Sequence, residues 1–176
     1  MKTNILVPTL KEIPSAQRFV QTPNRENARK LVHEIRKIVY ELNLDGNAPP
    51  LLRDALMLMN NKNQYHLENT MLLTDLYEHS HDEPNRKQAI NQLVENAKKA
   101  YQEGDRFAMS VNIQKAVHMA LENNWFEIAF KAGDSITAFG LNPISKSIYL
   151  RLAAVAREIG DQKRVAKYEE MAGINN

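Results

Sequence analysis

Glycine and proline are scarce in this chain, and they fall between long runs of helix-forming residues. The 176 residues include six glycines and seven prolines. Ala, Leu, Met, Lys, Glu and Gln are abundant in the segments between them, and these residues have high helix propensity. Because proline suits the start of a helix and glycine its end, their positions mark where elements begin and stop. The sequence therefore predicts an all-α fold.

The first clear helix is amphipathic and carries arginines beside its apolar face. Thr22 or Asn24 can cap its N-terminus. At about 100° per residue, its apolar positions occupy one arc of roughly 120°. These positions are Ala28, Leu31, Val32, Ile35, Ile38, Val39 and Leu42. A strip of Arg25, Arg29 and Arg36 lies beside that arc. It either contacts a phosphate or an acidic peptide, or it covers the edge of the core as a solvated flank, which is the favoured interpretation.

The chain divides into three parts. Residues 1–22 contain Pro8 and Pro14 between apolar residues. This pattern predicts an extended N-terminal arm that docks on its own domain or on a partner. Residues 23–82 predict an N-terminal helical part of about three helices. Residues 83–176 predict a helical-hairpin part, packed with the former as one unit.

Two further helices are predicted in the N-terminal helical part. The segment LLRDALMLMNN is apolar nearly all round, and we expect it to be buried, with Met57 and Met59 filling the core. The next helix runs from about Gln64 to Glu78. Its expected buried residues are Leu67, Met71, Leu72, Leu73 and Leu76.

The C-terminal part shows regular helix ends. Five predicted helices stop at Gly104, Asn123-Asn124, Gly140, Gly160 and Gly173. Asp105 and Asp161 directly follow two of these glycines and can cap the next helix. Helices of roughly 12–19 residues with short joints predict a run of antiparallel helical hairpins.

The same part repeats at a spacing of 36 residues. The matched pairs are Ala97/Gly133, Ala100/Ile136, Gly104/Gly140, Ile113/Tyr149 and Ala116/Leu152. Small residues at the first position let two helices approach closely, and glycine at the third tolerates a turn. The stretches AYQEGDRFAMSVNIQKAV and YLRLAAVAREIGDQKRVAKYEEMA both place an aromatic residue and small residues before a Gly-Asp turn and a further helix. Residues 86–176 thus resemble a tetratricopeptide-like helical-hairpin repeat, with a non-repeating helical bundle as the alternative.

This resemblance implies both a fold and a function. Such repeats stack their hairpins in a right-handed arrangement. They leave the inner face of the first helices open to a peptide or to a helix of another protein. The resemblance therefore implies a binding module.

The stretch YEHSHDEPNR holds the weak candidates for a metal site, His79, His81 and Asp82. Side chains two residues apart on a helix point about 200° away from each other, so the two histidines cannot share an ion there. On a helix, the workable partner of His79 is Asp75, one turn back. The favoured alternative is a polar joint, in which Asp82 or Glu83 caps the helix that begins at Pro84.

A second resemblance concerns the order of His33, His81-Asp82 and Asp134, which is similar to that of the all-α HD-type metal-dependent phosphohydrolases. It implies a metal-dependent enzyme. The His-Asp pair, however, lies in the polar run HSHDEPN, whereas the pair of that family ends an apolar helix. The chain also has no glycine-rich phosphate loop, no GxSxG motif and no cysteine. We therefore expect no catalytic residue, no metal and no cofactor.

Charge and hydropathy restrict the partners and the compartment. The formal net charge is only +2, which is too small to predict that the protein binds nucleic acid. No apolar run approaches the roughly 20 residues of a membrane span. The lack of cysteine fits a reducing compartment. We expect a cytoplasmic protein without membrane contact.

The leading hypothesis is a non-enzymatic interaction module, such as an adaptor, chaperone or regulatory subunit, that binds a peptide or helix of a partner protein. The candidate contact residues are Arg25, Arg29, Arg36, Lys98, Lys99, Trp125 and Phe126. Trp125 and Phe126 are alternatively core residues at a helix start. The rival hypothesis is nucleic-acid binding through the arginine strip. The sequence leaves a homo-oligomer open and does not identify the partner.

Overall fold

The chain is helical throughout the part that the structure describes. A computed structural model describes residues 7–60, 65–140 and 142–174. These residues form nine α-helices and three short 3-10 turns, with no strand among them. The α-helices are α1 (Pro14–Gln21), α2 (Arg25–Glu41), α3 (Ala48–Asn60), α4 (His66–His79), α5 (Glu83–Gln102), α6 (Arg106–Glu122), α7 (Phe126–Ser135), α8 (Pro143–Glu158) and α9 (Gln162–Met171). The predicted all-α class is confirmed for the described residues.

The predicted extended conformation of the arm, residues 1–22, is wrong where the structure describes it. A 3-10 turn at Leu10–Glu12 leads into α1, and Pro14 is the first residue of that helix. Proline loses no hydrogen bond at this position, because the N–H group it lacks would have no partner inside the helix. Ala16 and Phe19 are buried, so packing of one face stabilises a helix of only eight residues. The first six residues lie outside the described part.

Two compact units follow one another along the chain, Met1–Gln92 and Leu93–Asn176. We call them the first and the second unit. The division falls inside α5, whereas the sequence places a boundary between residues 82 and 83. That boundary, and the packing of the two parts as one unit, stay predictions. Among the described helices, none combines the length and apolar character needed to cross a bilayer.

In the first unit, α2 packs against α1, α3 and α4. Five residues of the predicted arc are buried, namely Ala28, Leu31, Val32, Ile35 and Val39, whereas Ile38 is half-buried and Leu42 is exposed at the end of the helix. Of the two predicted caps, Thr22 and Asn24, the structure has Asn24, whose side chain accepts a hydrogen bond from the backbone N–H of Asn27 at 2.8 Å. The Phe19 ring of α1 meets the Tyr65 ring edge-on, with 5.3 Å between the ring centroids. This contact helps to attach α1 to the rest of the first unit.

One prediction about α3 is wrong, because this helix is not buried all round. Met57 is 68 % exposed, whereas Met59 is fully buried. The α3 helix packs against α2, α4 and the 3-10 turns at Leu10–Glu12 and Asp45–Asn47, and Met57 lies on the side that these elements do not cover. A continuous apolar run cannot reveal which side that is.

The second unit has an aromatic centre and one close helix approach. The rings of Phe130 and Tyr168 stack with 5.7 Å between centroids, and those of Tyr149 and Tyr168 with 6.2 Å. At Gly133, an added Cβ atom would lie 2.2 Å from Leu152 Cδ1. Only glycine therefore permits α7 to approach this leucine of α8 so closely.

Two glycine–aspartate turns in the second unit share one hydrogen-bond pattern. Gly104 and Gly160 both have φ of +79°. In each turn the N–H of the following aspartate donates to the carbonyl five residues before it, at 2.8 Å, which is the Schellman arrangement. The Asp105 and Asp161 side chains then accept from a backbone N–H in the first turn of the next helix. The predicted stops and caps are confirmed at both turns.

Replacing Gly160 tests the conformational requirement of its turn. An added Cβ would meet no atom within 4 Å, so the cost of a side chain arises from the backbone alone. We expect Gly160→Ala to lower the free energy of unfolding by about 1–2 kcal/mol. Gly160→Asn should cost less, because asparagine tolerates positive φ better. Urea unfolding measures both values, and an alanine variant as stable as the native chain would contradict this account.

Candidate functional site

The arginine strip of α2 pairs with two buried acids of α4. Glu68 Oε1 lies 3.6 Å from Arg25 Nε and 3.3 Å from Arg29 Nε. Arg36 Nε donates a hydrogen bond to Asp75 Oδ2 at 2.8 Å. The Glu68 and Asp75 side chains are 4 % and 0 % exposed. The arginines therefore neutralise charges inside the fold, and we call this set of ion pairs the seam.

The acids and the arginines of the seam match in spacing. Arg29 and Arg36 are seven residues apart, and so are Glu68 and Asp75. Each pair joins residues 39 apart in the chain, so α2 and α4 run parallel and in register. Seven residues make about two helical turns, which places both pairs on one face of each helix. Sequence analysis missed the seam, although this common spacing was its signal.

The inner side of α4 carries buried polar residues as well as the predicted apolar residues Leu72, Leu73 and Leu76, which are buried. The buried polar residues of this helix are His66, Glu68, Asn69, Thr70 and Asp75. Met71 is 41 % exposed and Leu67 is only half-buried, so the prediction that both are buried is wrong for Met71 and incomplete for Leu67. Buried carboxylates persist because their arginine partners offset the loss of hydration. The two acids lie on the helix surface between the buried Leu72 and the exposed Met71, at the edge of the inner side.

A groove of about 840 Å³ runs between α2 and α4, and we call it the α2–α4 groove. Its lining consists of Arg29, Val32, His33, Arg36, Lys37, Tyr40, Glu41, Leu67, Glu68 and Met71. Tyr40 is 50 % exposed, and its hydroxyl lies 3.3 Å from Asp75 Oδ1. The groove thus combines accessible apolar and aromatic surface at Met71 and Tyr40 with basic side chains along α2.

A second groove, of about 640 Å³, lies between α1 and α2, and we call it the α1–α2 groove. Its lining consists of Pro14, Ser15, Arg18, Arg29, Lys30, His33, Glu34 and Lys37. Three of these residues also line the α2–α4 groove, namely Arg29, His33 and Lys37. They follow one another at intervals of four residues, so they form a basic ridge with a spacing of about 6 Å along α2.

A third groove, of about 1040 Å³, lies between α1 and α3. Val20 and Met57 line it, and both are mostly exposed. Its charged lining residues are Lys11 and Asp54, one of each sign. The lining of this groove therefore has no net charge, whereas cationic side chains predominate in the lining of the α1–α2 groove and the α2–α4 groove.

Burial changes the ionisation of the seam. It raises the pKa of the Asp75 carboxyl, and the nearby Arg36 guanidinium offsets this only in part. Burial also raises the pKa of the Tyr40 hydroxyl, which is close to the Asp75 and Glu78 carboxylates. Since the net change at Asp75 is upward, the folded state favours its protonated form more than the unfolded state does.

The other predicted contact residues belong to the second unit. Lys98 Nζ lies 2.7 Å from Glu95 Oε1, while Lys99 is exposed. Trp125 and Phe126 are half-buried at the start of α7. Their partial burial fits neither the prediction of core residues nor that of exposed contact residues fully. These four residues line none of the three grooves that involve α1 to α4.

The histidines of the joint between α4 and α5 converge on one carboxylate. His81 Nε2 lies 3.2 Å from Asp45 Oδ2, and His79 Nδ1 lies 4.0 Å from Asp45 Oδ1. Asp82 Oδ1 accepts a hydrogen bond from the backbone N–H of Asn85 at 2.8 Å, so it caps α5 as the joint interpretation predicts. Asp75, the other possible partner of His79, is occupied by Arg36.

The residues whose order along the chain is similar to that of the HD-type enzymes make contacts in separate parts of the structure. Asp134 Oδ1 accepts hydrogen bonds from Lys167 Nζ at 2.6 Å and from the Tyr168 hydroxyl at 2.9 Å. His81 and Asp82 form the contacts of the joint. Within residues 7–60, 65–140 and 142–174, no group of three histidine or carboxylate side chains is arranged to hold a metal ion.

Removing the cation of the buried pair tests the seam. We expect Arg36→Met to lower the free energy of unfolding by about 3–5 kcal/mol, because the buried Asp75 then lacks a cation and keeps only the hydrogen bond from the Tyr40 hydroxyl. The double variant Arg36→Met/Asp75→Leu should recover most of that loss. Arg25→Met is the matched control and should cost less than about 1 kcal/mol, since its side chain is half-exposed and Arg29 still pairs with Glu68. Equal losses for Arg36→Met and Arg25→Met in urea unfolding would contradict the account.

The raised pKa of Asp75 predicts a pH dependence. Its folded pKa lies above the unfolded value of about 3.9, so its contribution to stability is complete below that pH and declines as the pH rises through the folded pKa. Asp75→Asn removes this titration. We expect the free energy of unfolding of the native chain, relative to Asp75→Asn, to fall as the pH rises from about 4 toward neutrality.

Both chains contain the carboxyls whose pKa is lowered, such as Glu127 and Asp82. The contributions of these groups therefore cancel when the free energy of unfolding of one chain is subtracted from that of the other at each pH. Urea unfolding at several pH values provides the measurement. A difference that stays constant or rises with pH would show that the Asp75 pKa is not raised.

Comparison with known proteins adds no relative: no family model, no curated protein and no solved structure matches this chain.

Proposed function

We propose that this protein is a non-enzymatic interaction module that binds a helix of a partner protein in the α2–α4 groove. One observation carries the proposal: α4 buries Glu68 and Asp75 and exposes Met71 to the groove. Met71 is not isolated, because Tyr40 is exposed and Leu67 is half-exposed in the lining of the same groove, and a partner can cover such adjoining apolar surface. The ion pairs of the seam hold α4 in the orientation that leaves Met71 in the lining of the groove.

The dimensions and chemistry of the groove suit a helix. It lies between two parallel helices, and Leu67 and Met71 supply apolar surface along it. An amphipathic helix places its apolar side chains at intervals of three and four residues, and such a stripe can pack into a groove of this kind. Methionine adapts its shape to different side chains, which suits a binding surface.

The second unit is proposed to be a short tetratricopeptide-like stack of antiparallel hairpins. In support, positions 36 residues apart agree in burial: Ala100 and Ile136 are both buried, as are Ala116 and Leu152. Gly104 and Gly140 both have positive φ. Lys98, Lys99, Trp125 and Phe126 are proposed as a further contact surface of this unit. The lack of cysteine supports a location in the reducing cytoplasm.

Nucleic-acid binding is less well supported by the same surface. Arg25, Arg29 and Arg36 already pair with buried acids. Glu34 and Glu41 also line the two grooves beside the ridge and would repel a continuous polyphosphate. A protein partner can place its acids selectively, whereas a duplex cannot.

A pair of methionine substitutions tests the proposed function. Met71→Asp places a charge in the α2–α4 groove, and Met57→Asp makes the same change at an exposed position that lines the groove between α1 and α3. We expect Met71→Asp to weaken binding of the natural partner by about tenfold or more, because a buried apolar contact is lost. Met57→Asp should leave binding nearly unchanged.

The measurement is quantitative capture by the purified chain from lysate of its native host, followed by titration with the purified partner. Urea unfolding of both variants confirms that they are folded. Loss of binding in Met57→Asp but not in Met71→Asp would overturn the proposal. So would tight, salt-sensitive binding of a nucleic-acid duplex that both variants retain. Self-association lost only in Met71→Asp would identify the partner as a second copy of the chain.

A further inference from the structure

A fourth groove, of about 540 Å³, lies between α6 and α8 of the second unit, and we call it the α6–α8 groove. Its lining includes Lys115, Val117 and His118 of α6 and Ile144, Ile148 and Arg151 of α8. Each of the three grooves of the first unit has a carboxylate in its lining, whereas the lining of this groove has none. The α6–α8 groove therefore differs from the others in its charge, which is carried by the cations Lys115 and Arg151.

The fold does not neutralise these two cations. Among the residues that the structure describes, no ion pair joins Lys115 or Arg151 to a carboxylate. Lys115 is also half-buried, and a charged group that loses hydration without gaining a counter-charge is costly. An anion bound in the groove would offset that cost, because it would supply the missing charge.

A histidine holds the guanidinium of Arg151 in position. Arg151 Nη2 lies 3.2 Å from His118 Nδ1. Arginine can only donate, so Nδ1 accepts and the ring proton is on Nε2. That nitrogen lies 3.1 Å from Glu122 Oε1, so the imidazole ring separates Glu122 from Arg151, and Glu122 is outside the groove lining. The contact with His118 occupies only part of the donor set of the guanidinium and leaves the other N–H groups for a ligand.

The other groups of the lining also suit an oxyanion. Ser147 lines the groove four residues before Arg151, so its hydroxyl lies about one turn of α8 away from the guanidinium. Pro143 and Ile144 bring the first turn of α8 into the same lining, where the helix dipole favours negative charge. An arginine, a lysine, a hydroxyl and a helix N-terminus together form a set of groups that stabilise a bound phosphate.

From these observations we infer that the α6–α8 groove binds a phosphate monoester, with the phosphate group on Arg151 and Lys115 and the organic part against Pro143 and Ile144. A monoester carries nearly two negative charges at neutral pH, which matches the two cations, whereas each phosphate of a nucleic-acid backbone carries one. The volume of the groove lies in the range of small-molecule sites. A free small molecule and a phosphorylated side chain both present this group. The inference goes beyond the proposed function, because it concerns the second unit and does not depend on the α2–α4 groove.

Phosphate esters of different charge test the inference on the whole chain. The probes are methyl phosphate, which is a monoester, and dimethyl phosphate, which is a diester with a single negative charge. Each is titrated at low ionic strength and followed by NMR of the isotopically labelled protein. We expect methyl phosphate to bind with a Kd of about 1 mM or below, and dimethyl phosphate to bind about tenfold more weakly. No saturable binding of methyl phosphate up to about 10 mM, or equal affinity for the two esters, would overturn the inference.

Variants of the two cations locate the site. We expect Arg151→Met to weaken methyl phosphate by about tenfold and Arg151→Lys to weaken it less, because lysine keeps the charge but loses the bidentate geometry. Lys115→Met should weaken it by about fivefold. Lys163→Met, the matched change at an exposed lysine of α9 outside the lining, should alter the affinity by less than about twofold. Urea unfolding confirms that each variant is folded, and equal effects of Lys115→Met and Lys163→Met would contradict the assignment.

A further pair of probes identifies the source of the phosphate. If a short phosphoserine peptide binds more than about tenfold more tightly than methyl phosphate, and its unphosphorylated form does not bind, the ligand is a phosphorylated protein. If the two affinities are equal, the protein chain around the phosphate adds nothing and the ligand is a free small molecule. A nucleic-acid duplex that competes with methyl phosphate and loses affinity in both Arg151→Met and Lys115→Met would assign these cations to nucleic acid and overturn the inference.

Discussion

The burial of Glu68 and Asp75 on α4 is the constraint on which the first unit depends. Removing two carboxylates from water costs several kcal/mol each unless cations compensate them. Arg25 and Arg29 approach one acid and Arg36 binds the other. Because the partners recur at the same interval on both helices, shifting α2 along α4 by one turn would break both contacts. The seam therefore sets the register of these helices as well as neutralising the charges.

The same contacts determine the surface. With its acids inward, α4 leaves Met71 exposed and Leu67 half-buried, and α2 presents Arg29 and Lys37 next to them. The groove and its basic ridge are thus a consequence of how the unit is held together. This is why we assign the binding function to this face and not to the larger groove beside α3.

Features that depend on local chemistry could be predicted from the sequence, whereas those that depend on distant partners could not. Gly104 and Gly160 end helices, and Asp105 and Asp161 cap the next ones, because a turn involves only neighbouring residues. The arm was misread because its prolines suggested extended chain, although Pro14 is compatible with the first position of a helix.

The candidate site shows the same division. The arginine strip was visible on α2, but its interpretation required Glu68 and Asp75, 39 residues further along the chain. A periodicity argument correctly buries Leu72, Leu73 and Leu76 of α4, but it does not predict that Glu68 and Asp75 are buried beside them or that Met71 is exposed. Only a search for matching intervals between oppositely charged residues on different helices would have revealed this.

The side of α4 that faces solvent can be measured with a single thiol, since the native chain contains no cysteine. Met71→Cys and Leu72→Cys each introduce one reporter, at positions that are 41 % and 0 % exposed. Under native conditions we expect a thiol reagent to label Met71→Cys nearly as fast as the unfolded chain and Leu72→Cys far more slowly. Protection of Met71→Cys together with rapid labelling of Leu72→Cys would show that α4 is turned the other way, and would contradict the seam and the groove together.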